Sequence, residues 1–174
     1  RRRTLDLIRN LNRTSLSAAD EEFNARIIAY DLAFKMQTES PKLFDLSKES
    51  AETLELYGVG RQPTNDYGRR CLMARKLVEN GVRFVCVVAG GGPGNMQWDA
   101  HNDIEENHLR KAAESDQPVA GLLQDLERRG LLDSTLVLWG VEFGRTVTRD
   151  KNGNDNPGRD HNSKAFSVWL AGGG

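Results

Sequence analysis

All three histidines of the chain fall in two polar stretches, each beside carboxylates. The first reads GGGPGNMQWDAHNDIEENH and holds Asp99, His101 and His108. The second opens as GVEFGRT and closes as NPGRDHN, with Glu142, Arg145, Arg159, Asp160 and His161. In WDAH the acid and the imidazole are two residues apart, so an extended backbone points both to one side. That spacing suits a pair of metal ligands, or a histidine oriented by a carboxylate. A mixture of Glu, Asp and His donors favours Zn²⁺ or Mn²⁺ over the all-oxygen sites of Ca²⁺ and Mg²⁺. Each candidate also has a plainer reading. The WDAH loop can cap the next helix, Glu142 can pair with Arg145, and GRDHN can be turn chemistry.

Other chemistries find less support. AGGGPGN lacks the Lys-Ser/Thr ending of a phosphate loop and the G-x-G-x-x-G spacing of a dinucleotide site, so its glycines read as turn formers. There is no G-x-S-x-G elbow. With 24 basic and 25 acidic residues the net charge is -1, and no global field points to nucleic acid. Mean hydropathy is -0.58, and no run approaches the roughly 18 apolar residues of a membrane span. The basic start RRRTLDLIRNLNR lacks the apolar stretch of an export signal and reads as a solvated helix. Cys71 and Cys86 have apolar neighbours and read as buried small hydrophobes.

Positioning such residues requires rigid elements. Phe23, Ile27, Tyr30 and Phe34 recur at helical spacing and predict a helix over roughly 18–37. Short Ser-capped turns follow, closed by Gly58. A helix is expected from about Tyr67 to Asn80 with Gly81 as its stop, then a buried strand VRFVCVV over 82–88. Ser115 and Pro118 are expected to open a further helix that ends at Gly130. TLVLW over 135–139 predicts a second buried strand, and AFSVWL a third, returning antiparallel after the polar loop 140–164.

This order predicts an α/β fold: a mostly parallel sheet flanked by helices, with strands 82–88 and 135–139 joined by a right-handed crossover. Residues 1–66 would form a helical cover and residues 67–174 the sheet-forming part with the site loops. The strand followed directly by Gly172–Gly174 leads us to expect a portion of a larger domain. In open α/β sheets, sites form beyond the carboxyl ends of the strands. The two polar stretches leave those ends, so the topology is expected to gather Asp99, His101, Glu142 and His161 into one metal site.

The passage DQPVAGLLQDLERRGLLDSTLVLWGVEFGRT, with GRDHN and WLAGGG after it, resembles a bacterial domain-of-unknown-function family placed beside the sulfatases in the alkaline-phosphatase-like superfamily. DLAFKMQTESPKLFDLSKES and GRRCLMARKLVENGVRFVCV are similar to it as well, so the resemblance covers nearly the whole chain. It implies an alkaline-phosphatase-like sheet with metal ions at its carboxyl edge. The expected activity is hydrolysis of phosphate or sulfate esters, on a small-molecule or glycan substrate and with no nucleic acid partner. The resemblance also implies export to the periplasm or beyond.

The superfamily strand ends in an Asp-His pair followed by Gly; here those places hold Glu142, Phe143 and Gly144. Glu can ligate and Phe cannot. His161 stands where a further superfamily His precedes a later strand, and Asp99 and His101 correspond loosely to ligands before the helix. Arg145 and Arg159 would hold the oxygens of the anion, with Asp160 and His108 standing behind the ligands. The nucleophile would lie upstream of this chain. Phe143 removes one expected ligand, which leaves two readings: a one-metal hydrolase, or a non-catalytic relative that binds an anion, a glycan or a protein partner.

Overall fold

The protein was analysed as a computed structural model that describes residues 7, 26–31, 33–34, 44–90, 98–141, 143–150 and 157–173. Two compact units divide the chain at Asp45 and Leu46. In the first, residues 26–31 and 33–34 are helical, inside the helix expected over 18–37; Phe23 lies outside the described residues.

The second unit opens with α1 (Ala51–Leu56), α2 (Asn65–Glu79) and α3 (Ile104–Arg128). The Ser50 hydroxyl accepts the Thr53 N–H at 3.1 Å and supplies the N-cap of α1. Gly58 closes that region and Gly81 follows α2, both at positive φ, as their place in the sequence predicts. α3 starts at Ile104, well before Ser115 and Pro118, which sit inside it. Proline usually marks a helix start, but here it is buried in mid-helix. Its ring leaves the Glu114 carbonyl without the N–H that would normally meet it.

The core gathers Leu46, Tyr57, Cys71 and Leu72, with Leu54, Leu56, Val59, Tyr67, Val87 and Leu122 packed around them. Burying each large apolar side chain contributes about 1.5–3 kcal/mol. Burial also pushes the Cys71 thiol up to about 12, so it is inert packing. Cys86, by contrast, is exposed. Against this core lies a buried ionic knot. Arg75, 2% exposed, reaches Glu49 at 2.7 Å, Glu79 at 2.6 Å and Asp125 at 2.9 Å. Tyr57 donates its hydroxyl hydrogen to Asp125 at 3.0 Å, locking α2 and α3 to the turn after α1.

Gly121 marks a close helix contact there. A Cβ on it would stand 2.6 Å from the Leu56 carbonyl oxygen and 3.3 Å from Tyr57 Cα, both backbone atoms. Gly121→Ala is expected to lower the urea-unfolding stability by about 1–3 kcal/mol. The gain in helix propensity, about 1 kcal/mol at most, is too small to reverse that sign.

The predicted mostly parallel, helix-flanked sheet of the alkaline-phosphatase type is not present among the described residues. The described residues form two small antiparallel ribbons instead. β1 (Val137–Trp139) pairs with β4 (Trp169–Ala171), and β2 (Gly144–Arg149) pairs with β3 (Arg159–Asn162). Residues 84–90 form no strand, so no crossover joins 82–88 to β1. Val87 packs on the core, while Phe84 is 85% and Val88 67% exposed. The Val88 and Gly90 carbonyls accept from the Arg70 guanidinium rather than from a neighbouring strand. An apolar run reports a wish for burial, and that wish does not specify a pairing partner.

The last strand does return antiparallel beside β1, which puts Trp139 opposite Trp169 with their rings stacked at 6.1 Å. Trp98 meets Trp139 edge-on at 6.2 Å. No helix among the described residues is long and apolar enough to cross a membrane.

Candidate metal centre

Three chain segments meet at the site. The first, 98–103, has no regular structure and leads into α3. The others are β2 and β3, which fill much of the stretch read from sequence as a plain loop. Arg145 and His161 are directly opposed across that ribbon, so both side chains rise from one face. Backbone bonds strap the first segment to the ribbon. Arg159 N–H donates to the Ala100 carbonyl at 3.0 Å, Ile104 N–H to the Pro157 carbonyl at 3.2 Å, and Asn102 bridges Pro157. Gly158 lies directly against the His101 backbone, in a space that no Cβ could enter.

The result is a convergence of three donor atoms. Asp99 Oδ1 stands 3.1 Å from His101 Nε2 and 3.0 Å from His161 Nε2, and the two imidazole nitrogens face one another at 3.2 Å. Atoms held about 2.0–2.1 Å from a tetrahedral zinc lie about 3.3 Å from each other, so this triangle is close to a ligand set already in place. Behind it, His101 Nδ1 is 2.6 Å from the Asp150 carboxylate, which is 4% exposed. An ionised Asp150 can only accept, so His101 donates from Nδ1, and a neutral ring keeps its Nε2 lone pair toward Asp99 and His161. Asp160 lies within 4.8 Å of His101 and Asp150, as a group of possible ligand atoms on the other side of the ring.

Charge within the cluster favours the ionised form of Asp99 and the protonated form of His101. Partial burial pushes the Asp99 carboxyl up, but hydrogen bonds from His161 and Arg145 outweigh it and hold the group below the usual carboxylate range. The hydrogen bond to Asp150 raises the His101 imidazole above its ordinary value. Phe143 tilts against His161 with ring centroids 4.4 Å apart, and the Arg145 guanidinium sits 5.7 Å from the centre of the Phe143 ring.

Of the residues singled out from sequence, the structure therefore brings together Asp99, His101, His161, Arg145 and Asp160. Glu142 lies outside the described residues. Arg145 is spent on the Asp99 carboxylate, and Arg159 donates to the Val147 carbonyl. His108 turns to Trp98, with its Nε2 3.3 Å from the Trp98 carbonyl oxygen, rather than to the ligand atoms. The residue that sequence reasoning missed is Asp150. It stands at the end of a polar strand with no motif around it, and only the register of the ribbon connects it to His101.

The family model described as "Protein of unknown function (DUF1501)" matches residues 1–174. The chain belongs to this family. No curated protein and no solved structure matches the chain.

Proposed function

We propose that this DUF1501 chain binds one divalent transition metal through Asp99 Oδ1, His101 Nε2 and His161 Nε2 and hydrolyses a phosphate or sulfate ester there. The carrying observation is the near-equilateral set of three donor atoms, 3.0–3.2 Å apart, backed by the buried Asp150. Three protein ligands with an open fourth position are the pattern of catalytic rather than structural zinc. Two imidazoles and one carboxylate suit Zn²⁺ and Mn²⁺, and the same trio serves Fe²⁺ in other proteins.

When bound, the metal supplies a Lewis acid and lowers the pKa of a coordinated water. The protein's own groups prepare the site. Asp150 fixes the tautomer and angle of His101. Arg145 keeps Asp99 ionised. Phe143 lies against one side of the His161 ring. An oxygen-acid ester is the substrate class implied by the resemblance read from the sequence, to a family placed beside the sulfatases.

Phe143 also favours a second reading, in which the chain holds metal or anion without turnover. An aromatic ring against one ligand, with a guanidinium already paired to another, narrows the room for an ester.

Purified protein dialysed against Zn²⁺, Mn²⁺ or Fe²⁺ and then desalted is expected to retain close to one equivalent of metal by elemental analysis. His161→Ala should lose it. Wild-type protein that retains none overturns the site. Retention without hydrolysis of aryl phosphates or aryl sulfates selects the non-catalytic reading.

A further inference from the structure

A cleft of about 260 Å³ opens between the first turns of α2, the 89–90 segment and one face of α3. Trp98 forms part of its wall and directly precedes Asp99, one of the proposed metal ligands, in the chain. Tyr67 supplies a second aromatic surface. Asp66 and Arg70 from α2, with Lys111 and Glu114 from α3, supply two carboxylates and two cations, so the lining carries no net charge. Lys111 is held by both oxygens of Glu114, at 3.0 and 2.8 Å, and Arg70 by the Val88 and Gly90 carbonyls.

An anionic body would meet two carboxylates here, and a purely apolar one would strip four charged groups of water without replacing their hydrogen bonds. A neutral ring rich in hydroxyl groups meets neither objection. Its C–H face lies on aromatic carbon, and its hydroxyls both donate to carboxylates and accept from ammonium and guanidinium groups. The volume lies just below the usual range of small-molecule sites, which suits one ring rather than a chain.

We infer that this cleft is a subsite for a single pyranose or cyclitol ring, the part of the substrate that carries the ester. The proposal deepens the metal-site reading and rests on it only for the reaction, because ring binding needs no metal. Its test is therefore run in EDTA. The indole N–H resonances of the protein are followed by NMR during titration with methyl glucopyranoside, methyl galactopyranoside, N-acetylglucosamine or myo-inositol, and separately with inorganic phosphate.

At least one ring compound is expected to shift the Trp98 resonance saturably, with a millimolar dissociation constant. Trp98→Phe should retain binding, read through Tyr67 ring signals, and Trp98→Ala should lose it. Glu114→Gln is expected to weaken it about tenfold while leaving the fold intact. The inference is overturned if no ring compound shifts any indole signal up to about 50 mM, more than tenfold above a millimolar constant. It is also overturned if phosphate alone produces the shift, or if Glu114→Gln binds as tightly as wild type. Failure to retain metal, with ring binding intact, would sink the metal site and leave the cleft standing.

Discussion

Arg75→Ala is expected to lower the free energy of unfolding by about 3–5 kcal/mol, the range for removing one partner of a buried ion pair. Arg75 is 2% exposed and touches three carboxylates. Removing it leaves Glu49 and Asp125, 12% and 7% exposed, short of a cation in a place that water reaches poorly. Neighbours soften the loss. Lys76 still reaches Glu49 at 3.2 Å, and Arg129 still reaches Asp125 at 2.8 Å and Glu79 at 3.0 Å. That partial compensation places the electrostatic part at the lower end of the range, and the emptied volume of the side chain adds to it.

Arg75→Met separates the two contributions. It fills most of the volume but restores no charge, so it should recover only the cavity part. Glu79→Gln is the control: its carboxylate is 38% exposed, so it should cost no more than about 1 kcal/mol. Urea denaturation of the four proteins, with equal slopes, measures all of this. An Arg75→Ala protein as stable as wild type would show that the knot makes no net contribution. A protein of this size has about 5–15 kcal/mol in hand, so the predicted loss is a large share of the total.

The second large effect is expected at Asp150. Asp150→Ala should weaken zinc binding toward the hundredfold end of the 10–100-fold range for groups that orient a metal-binding imidazole. Asp150→Asn should lie nearer tenfold, because an amide oxygen still accepts the Nδ1–H but carries no charge. Two effects compete. Asp150 raises the proton affinity of His101, so its loss lets protons compete less well with metal. That benefit is confined to the range where the wild-type ring is protonated. As the pH rises past the raised His101 value it fades, and the lost orientation dominates.

Calorimetric zinc titration at pH 8 checks the main prediction, and equal affinities in all three proteins would refute it. Histidine NMR titration of the metal-free protein checks the cause. The His101 value should fall back toward the ordinary one in Asp150→Ala. The sign for stability follows. A raised histidine value contributes stability that is fully present below the unfolded value of about 6.5 and lost as the pH rises through the raised folded value.

Helix α2 was readable almost to its ends, since its apolar periodicity and Gly81 are local signals. The sheet was not. VRFVCVV looks like a core strand, yet its carbonyls go to Arg70, and β1 finds its partner in β4. The β2–β3 ribbon was invisible because GRTVTR and RDHN carry no alternation of apolar and polar residues, so they look like loop. Asp99, His101 and His161 stood out by residue type before any geometry was known, together with Glu142, which lies outside the described residues. Their convergence, however, comes from the ribbon's register and not from the parallel sheet that was expected to produce it. Asp150 was hidden for the same reason.

Gly158 carries no functional group, yet it sets the working distance of the centre. Its bare α-carbon lets the strand bearing His161 settle directly on the peptide bearing His101. The spacing of the two rings is thus dictated from beneath by main-chain contact. For anyone transplanting this donor trio into another scaffold, the hydrogen atom at position 158 is as much a part of the recipe as the imidazoles.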